Sequence, residues 1–158
     1  IELFMALRTI LVDGHPVLRT RSKEVDLAAL KAGAYATLIA DMVETMYHAK
    51  GVGIAAPQIG ESLRIFIAES PDGPIALINP VFTKKSWKQL NDQEGCLSVP
   101  KKFDNVRRAK SVDVTAYTAT GEEISFTAHD FFARILQHEM DHLDGILFID
   151  RVAEQKKD

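Results

Sequence analysis

The chain has 158 residues, 46% of them hydrophobic and 26% charged, with a formal net charge of −3. That is the composition of one folded domain spanning residues 1–158 with a single core, and it excludes a disordered chain. A dedicated nucleic-acid binder would carry a high pI, so direct nucleic-acid contact is not expected beyond a local patch such as Arg107-Arg108 with Lys101-Lys102, and no apolar run approaches the ~18–20 residues of a membrane span.

The N-terminal stretch Ile1-Glu2-Leu3-Phe4-Met5 has no basic region ahead of an apolar one. No secretory signal or transit peptide is expected, and the expected compartment is the cytoplasm. Met5 stands where a natural start would. From Asp26 to Lys50 the pattern predicts one helix: Asp26 can cap it, Ala is abundant, and Leu38, Met42, Thr45 and Met46 recur at helical spacing. Gly51 then suits the left-handed position past its end. Arg64 to Ala68 and Ile75 to Ile78 are short β-like runs punctuated by Pro and Gly. Val112, Val114 and Ala116 alternate with polar neighbours, and Thr120-Gly121 turns into Glu122 to Phe126, which predicts a hairpin. A second helix is expected from about His129 to Asp144, with Phe131, Phe132, Ile135, Leu136, Met140 and Leu143 on its apolar side and Gly145 as its stop. The sum is an α+β fold. Short antiparallel strands pack around a central helix, with an additional N-terminal helix alongside.

That central helix carries Gln137-His138-Glu139-Met140-Asp141-His142. His138 and His142 are one helical turn apart, so both imidazoles leave the same face and can hold one metal ion. Glu139, beside that face, can take a proton from water. A catalytic site of this kind needs a third protein ligand. Phe148 stands where one peptidase class has its third His, and Glu154 lies in a polar tail expected to fray. The candidate is therefore upstream: Cys96, within Glu94-Gly95-Cys96-Leu97-Ser98-Val99-Pro100, on a turn or irregular edge. As the lone cysteine it cannot form an intrachain disulfide, and its bland reading is a small buried hydrophobe. A third island, Gly51-Val52-Gly53-Ile54-Ala55-Ala56-Pro57-Gln58, is Gly-rich; it reads either as a structural turn or as a close approach to ligand, with the Gln58 amide able to donate to an oxyanion.

Together these three islands, in this order and spacing, resemble the signature motifs of peptide deformylases, and Ile10 to Arg19 resembles the family's opening; the resemblance covers nearly the whole chain. It implies a metal-dependent hydrolase that removes the formyl group from formyl-Met nascent polypeptides, leaving formate and a free N-terminal Met. By the same resemblance Cys96, His138 and His142 are the metal ligands and Glu139 is the general base and acid. Gln58 and the Leu97 N–H bind the oxyanion. Gly53 and Gly95 offer backbone hydrogen bonds to the peptide, Val52, Phe131 and Ile135 line a pocket for the Met side chain, and Glu94 pairs with an arginine, here Arg108. The resemblance implies one divalent ion per chain, Fe2+ in the cell, with Zn2+, Ni2+ or Co2+ in purified protein. A monomer is expected. Phe103 takes the place of a peptide-contacting arginine of some bacterial relatives, so preference beyond the Met should differ. The polar tail Ala153 to Asp158 is short beside the C-terminal helix with which some relatives dock on the ribosome. The rival readings are a metallopeptidase and a metal or redox sensor built on the same Cys/His/His set.

Overall fold

Asp26 caps a helix as its position suggests, its carboxylate accepting from the Ala29 N–H at 3.1 Å. That helix, α1 (Leu27–Lys31), is short. The single helix expected to Lys50 is broken, because Gly33 adopts φ +86° and turns the chain before α2 (Ala36–His48) begins. At the far end of α2 the left-handed residue is Lys50, at φ 58°, and not Gly51. Gly51 is small for a different reason: a Cβ there would come within 2.9 Å of the Leu97 side chain. The structure, a computed structural model, describes residues 6–157; the Met5 start lies outside them.

Seven strands follow: β1 (Gly53–Ala55), β2 (Ile65–Ser70), β3 (Gly73–Lys85), β4 (Gln89–Cys96), β5 (Val99–Ala109), β6 (Ser111–Tyr117) and β7 (Glu123–His129). Five form an antiparallel sheet in the order β1-β2-β3-β6-β7, and β4 and β5 pair separately as a hairpin. The run Ile65-Phe66-Ile67-Ala68 shows no polar alternation because β2 is covered on both faces. Phe66 and Ala68 join Leu77, Val114, Leu136 and Met140 on one side, while Ile65 and Ile67 meet Met42, Met46 and Ile54 on the other. Each such buried side chain contributes roughly 1.5–3 kcal/mol of transfer free energy. The expected β6–β7 hairpin is present, with Val112, Val114 and Ala116 buried and Gly121 at φ +88° in its turn.

The helix α3 (Asp130–Leu143) lies against one face of the five-stranded sheet, and α1 and α2 cover the other face. The N-terminal helical segment is thus separated from α3 by the sheet instead of lying beside it. Gly145, at φ +76°, ends the α3 exit where a Cβ would strike the Arg19 backbone at 2.7 Å. The polar tail is helical as far as Lys156: it continues α4 (Phe148–Lys156), which buries Phe148 and Val152 against Val99 and Val106 of the hairpin. Among the described residues no helix is long and apolar enough to cross a membrane.

Candidate active site

One turn of α3 separates His138 from His142, and their ring centroids lie 5.0 Å apart. Cys96 ends β4, where the pairing with β5 slips by a bulge between Gly95 and Cys96. The slip turns the thiol toward α3, with Sγ 3.3 Å from His142 Nε2. The three ligand atoms all lie within 4.8 Å of one another. Two buried polar atoms in the same place, His142 Nδ1 and Glu139 Oε2, have no hydrogen-bond partner. Orphans of this kind cost about 1–3 kcal/mol each. The open Glu139 oxygen, with a thiol and two imidazoles grouped beside it and His142 Nε2 facing Cys96 Sγ, fits a bound first-row divalent ion with water near the carboxylate.

Behind these groups lies a buried ion network. Glu94 accepts from His138 Nδ1 at 2.8 Å, from Arg108 twice at 2.9 Å, and from Arg134 at 2.7 Å. Arg108 also donates to Asp141 at 2.6 Å, and Arg151 holds the other Asp141 oxygen at 2.8 Å. Burial pushes the Glu94 carboxyl up, but Arg108 and His138 outweigh it and hold the group well below the usual carboxylate range. Burial opposes protonation of His138, yet hydrogen bonds to Cys96 and Glu94 and the Glu139 charge raise it to about 10 in the metal-free site. His142 goes the other way. Burial and the nearby positive charges of His138 and Arg108 keep it neutral, the form that ligates. Glu139 is raised to about 7, first by burial and then by Glu94, against the pull of His138 and Arg108. A carboxylate so placed can both take and return a proton near neutrality.

A cleft of about 590 Å³ opens in front of these groups. Gly53 forms one wall directly over Glu139, where a Cβ would collide with the carboxylate. Gly95 is paired across the hairpin with Phe103, whose ring fills the space of the missing Cβ. Gln58 is fully buried on a 3-10 turn (Ala56–Ile59). Its Oε1 accepts from the Ala55 N–H at 2.8 Å, which turns Nε2 toward Ser98 Oγ at 3.1 Å and Cys96 Sγ at 3.8 Å.

The family model described as polypeptide deformylase matches residues 7–158. The chain belongs to the peptide deformylase family. Peptide deformylase 1 of Clostridium acetobutylicum is 44% identical over 152 residues, covering 96% of this chain and 99% of that protein. Peptide deformylase of Clostridium botulinum is 46% identical over 151 residues, covering 96% and 100%. Among solved structures, a class I type b peptide deformylase from Acinetobacter baumannii superposes with a TM-score of 0.89 at 38% identity, covering 92% of this chain and 99% of that one. The Thermotoga maritima peptide deformylase follows the same fold at a TM-score of 0.87 and 40% identity, covering 92% and 97%. The activity is that of the family: metal-dependent removal of the N-formyl group from formyl-Met nascent polypeptides.

In this deformylase the residues singled out from sequence converge. Val52, Gly53, Gln58, Gly95, Cys96, Leu97, Phe131, Ile135, His138 and Glu139 all line the one cleft, and His142 closes it from behind through its contact with Cys96. Glu154, weighed as a ligand and set aside, pairs instead with Arg151 at 3.5 Å. Sequence reasoning missed Arg134, Asp141, Arg151 and Ser98. Arg134 had a signal, standing four residues before His138 on the same face of the helix. Ser98 had none, since its contact with Gln58 joins segments forty residues apart.

Proposed function

We propose that deformylation in this chain uses Cys96, His138 and His142 as the ligands of one divalent ion, with Glu139 as the proton carrier. An ion held there supplies a Lewis acid that lowers the pKa of water and polarises the formyl carbonyl. Glu139 takes a proton from the attacking water and returns it to the departing amine, so C–N cleavage releases formate and a free N-terminal amine. Gln58 Nε2 and the Leu97 N–H donate to the oxygen on which charge develops. The peptide lies as an added strand along the Gly53 and Gly95 backbones, and Val52, Phe131 and Ile135 take the Met side chain. The observation that carries this reading is the buried Glu139 carboxylate, one oxygen unpartnered, set beside the Cys96/His138/His142 cluster at the floor of the cleft.

The substrate class has further support in a relative, since a solved Acinetobacter baumannii peptide deformylase holds Met-Ala-Ser. For this chain we assign Fe2+ in the cell, with Zn2+, Ni2+ or Co2+ supporting the same ligand set in purified protein. This reading calls for no second copy of the chain, and we assign a monomer. Phe103, 65% exposed at the cleft mouth, offers an apolar contact to the residues after the Met.

The test is formate release from formyl-Met-Ala-Ser by anaerobically purified protein, with metal content measured on the same sample. Glu139→Ala is expected to keep one ion per chain and lose turnover. Full activity in that variant removes Glu139 from the mechanism. Gln58→Leu is expected to lower kcat by ~10²–10³. A redox or metal sensor would keep its response in both variants.

A further inference from the structure

Trp87, the only tryptophan of the chain, is 98% exposed. It sits in the three-residue connection Ser86, Trp87, Lys88 between β3 and β4, and Lys84, Lys85 and Lys88 around it are exposed too. The connection is well braced. Ser86 N–H donates to Ser111 O at 2.9 Å, Ser86 Oγ accepts from Ser111 N–H at 3.1 Å and donates to Lys88 O at 2.8 Å, and Lys110 N–H donates to Lys88 O at 2.9 Å. A fixed turn therefore holds a large indole in water, where it contributes nothing to packing. Among the described residues none of the three lysines forms an ion pair, and Lys85 Nζ lies 5.4 Å from the Phe82 ring centroid. Asp113 stands across the sheet from Lys84 and accepts from the Thr127 hydroxyl at 2.7 Å, and Asp130 N–H donates to Lys110 O at 2.8 Å.

From the tip a second cleft, of about 830 Å³, runs along the back of α3. Lys85, Ser86 and Gln89 form its near wall, and its lining holds six cationic side chains against three acidic ones. All three acids are engaged, Asp141 by Arg108 and Arg151, Asp144 by Arg21 and Arg64, and Glu154 by Arg151, so those four arginines are held in ion pairs and Lys85 is the cation the cleft shares with the tip. No residue lines both this cleft and the formyl-peptide cleft.

We propose that the Trp87 tip, with Lys84, Lys85 and Lys88 around it, forms a docking surface for single-stranded RNA. An exposed indole is a stacking platform for a base, and lysines on either side of it meet the adjoining phosphates. The chain's net charge of −3 makes this a local excess, which composition alone does not reveal. A bilayer is the poorer occupant, because one aromatic is a small apolar anchor. An acidic peptide leaves the indole without a partner. RNA is chosen over DNA because the activity acts on nascent polypeptides, so that choice rests on the functional reading above.

The metal-loaded protein is titrated into a labelled unstructured RNA of about 12 nucleotides, followed by anisotropy, with Trp fluorescence read in parallel. Expected are quenching of Trp87 and an affinity that falls about twenty- to fiftyfold between 50 and 200 mM salt, as for three or four phosphates neutralised. Trp87→Ala should weaken binding roughly five- to hundredfold and Trp87→Phe less. Lys84→Glu/Lys85→Glu/Lys88→Glu should weaken it further, and all these variants should deformylate formyl-Met-Ala-Ser at the parent rate. That assay reads the functional proposal separately from this one. The proposal is overturned by absence of RNA binding, or by binding that these substitutions leave intact. It is equally overturned if poly-glutamate or phosphatidylglycerol vesicles bind as tightly as the RNA.

Discussion

A methyl group on residue 53 has no free space, since it would overlap the Glu139 carboxylate. Gly53→Ala should therefore displace Glu139, the proposed proton carrier, while leaving Cys96, His138 and His142 alone. Misplacement by about 1 Å is expected to cost on the order of 10² in kcat with metal content unchanged; parent-like kcat would mean that Glu139 needs no fixed position. Glu94→Gln tests the support behind the ligands. The amide cannot match a carboxylate that bonds His138, Arg108 and Arg134 at once. Metal affinity, read against a competing chelator, should fall about 10–100-fold. At this scale the sequence was legible wherever one element carries the pattern. The His138/Glu139/His142 set needs only helical spacing, whereas Ser98 beside Gln58 and Asp141 beside Arg108 depend on segments brought together by folding.

Among the elements, α3 and the β4–β5 hairpin must keep a fixed relation on the proposed reading, because His138 and His142 come from one and Cys96 from the other. Arg134 is the tie. From α3 it donates to the carbonyls of Leu90 and Val106 at 2.9 and 2.8 Å, on opposite strands of the hairpin, and to Glu94. Arg134→Leu leaves Glu94 buried with one cation fewer and frees both carbonyls. It should destabilise the fold by about 3–5 kcal/mol in urea unfolding and lower metal affinity as well. A loss of stability with affinity retained would show that the hairpin is held elsewhere. Strands and α3 followed from periodicity, but the helix from Asp26 to Lys50 did not survive as one piece. Ala-rich propensity extends across Gly33, and only the sheet face that α2 must cover decides where the helix restarts.

Across the whole molecule, protons and metal compete for one site. Folded His138 is raised from 6.5 to about 10, and Glu139 from 4.5 to about 7. Both favour the protonated fold, so their contribution is full below the unfolded values and is lost as pH rises through the folded ones. Glu94 and Asp141 are lowered, so theirs is present above the ordinary carboxylate range and lost as pH falls below it. The metal-free protein should be most stable between about pH 4.5 and 6.5, with Tm declining toward pH 10. With His138 in the proposed ligand set, metal would take the place of its proton, so the Tm gap between loaded and metal-free protein should widen with rising pH. Calorimetry at pH 7 in buffers of different ionisation enthalpy should detect a proton released on metal binding. A gap that is flat with pH would place His138 outside the ligand set.

The sequence by itself determined what local periodicity and composition can encode. These are the α+β class, the helix bearing His138, Glu139 and His142, the β6–β7 hairpin, and the three motif islands whose order marks the family. Tertiary structure decided the rest. The bulge after Gly95 aims Cys96 at His142, the sheet separates α1 and α2 from α3, and α4 holds a tail that reads as polar by burying Phe148 and Val152. It also set the charge states, because Glu139 is an ordinary carboxylate in the unfolded chain. Burial among fixed charges is what raises it to about 7.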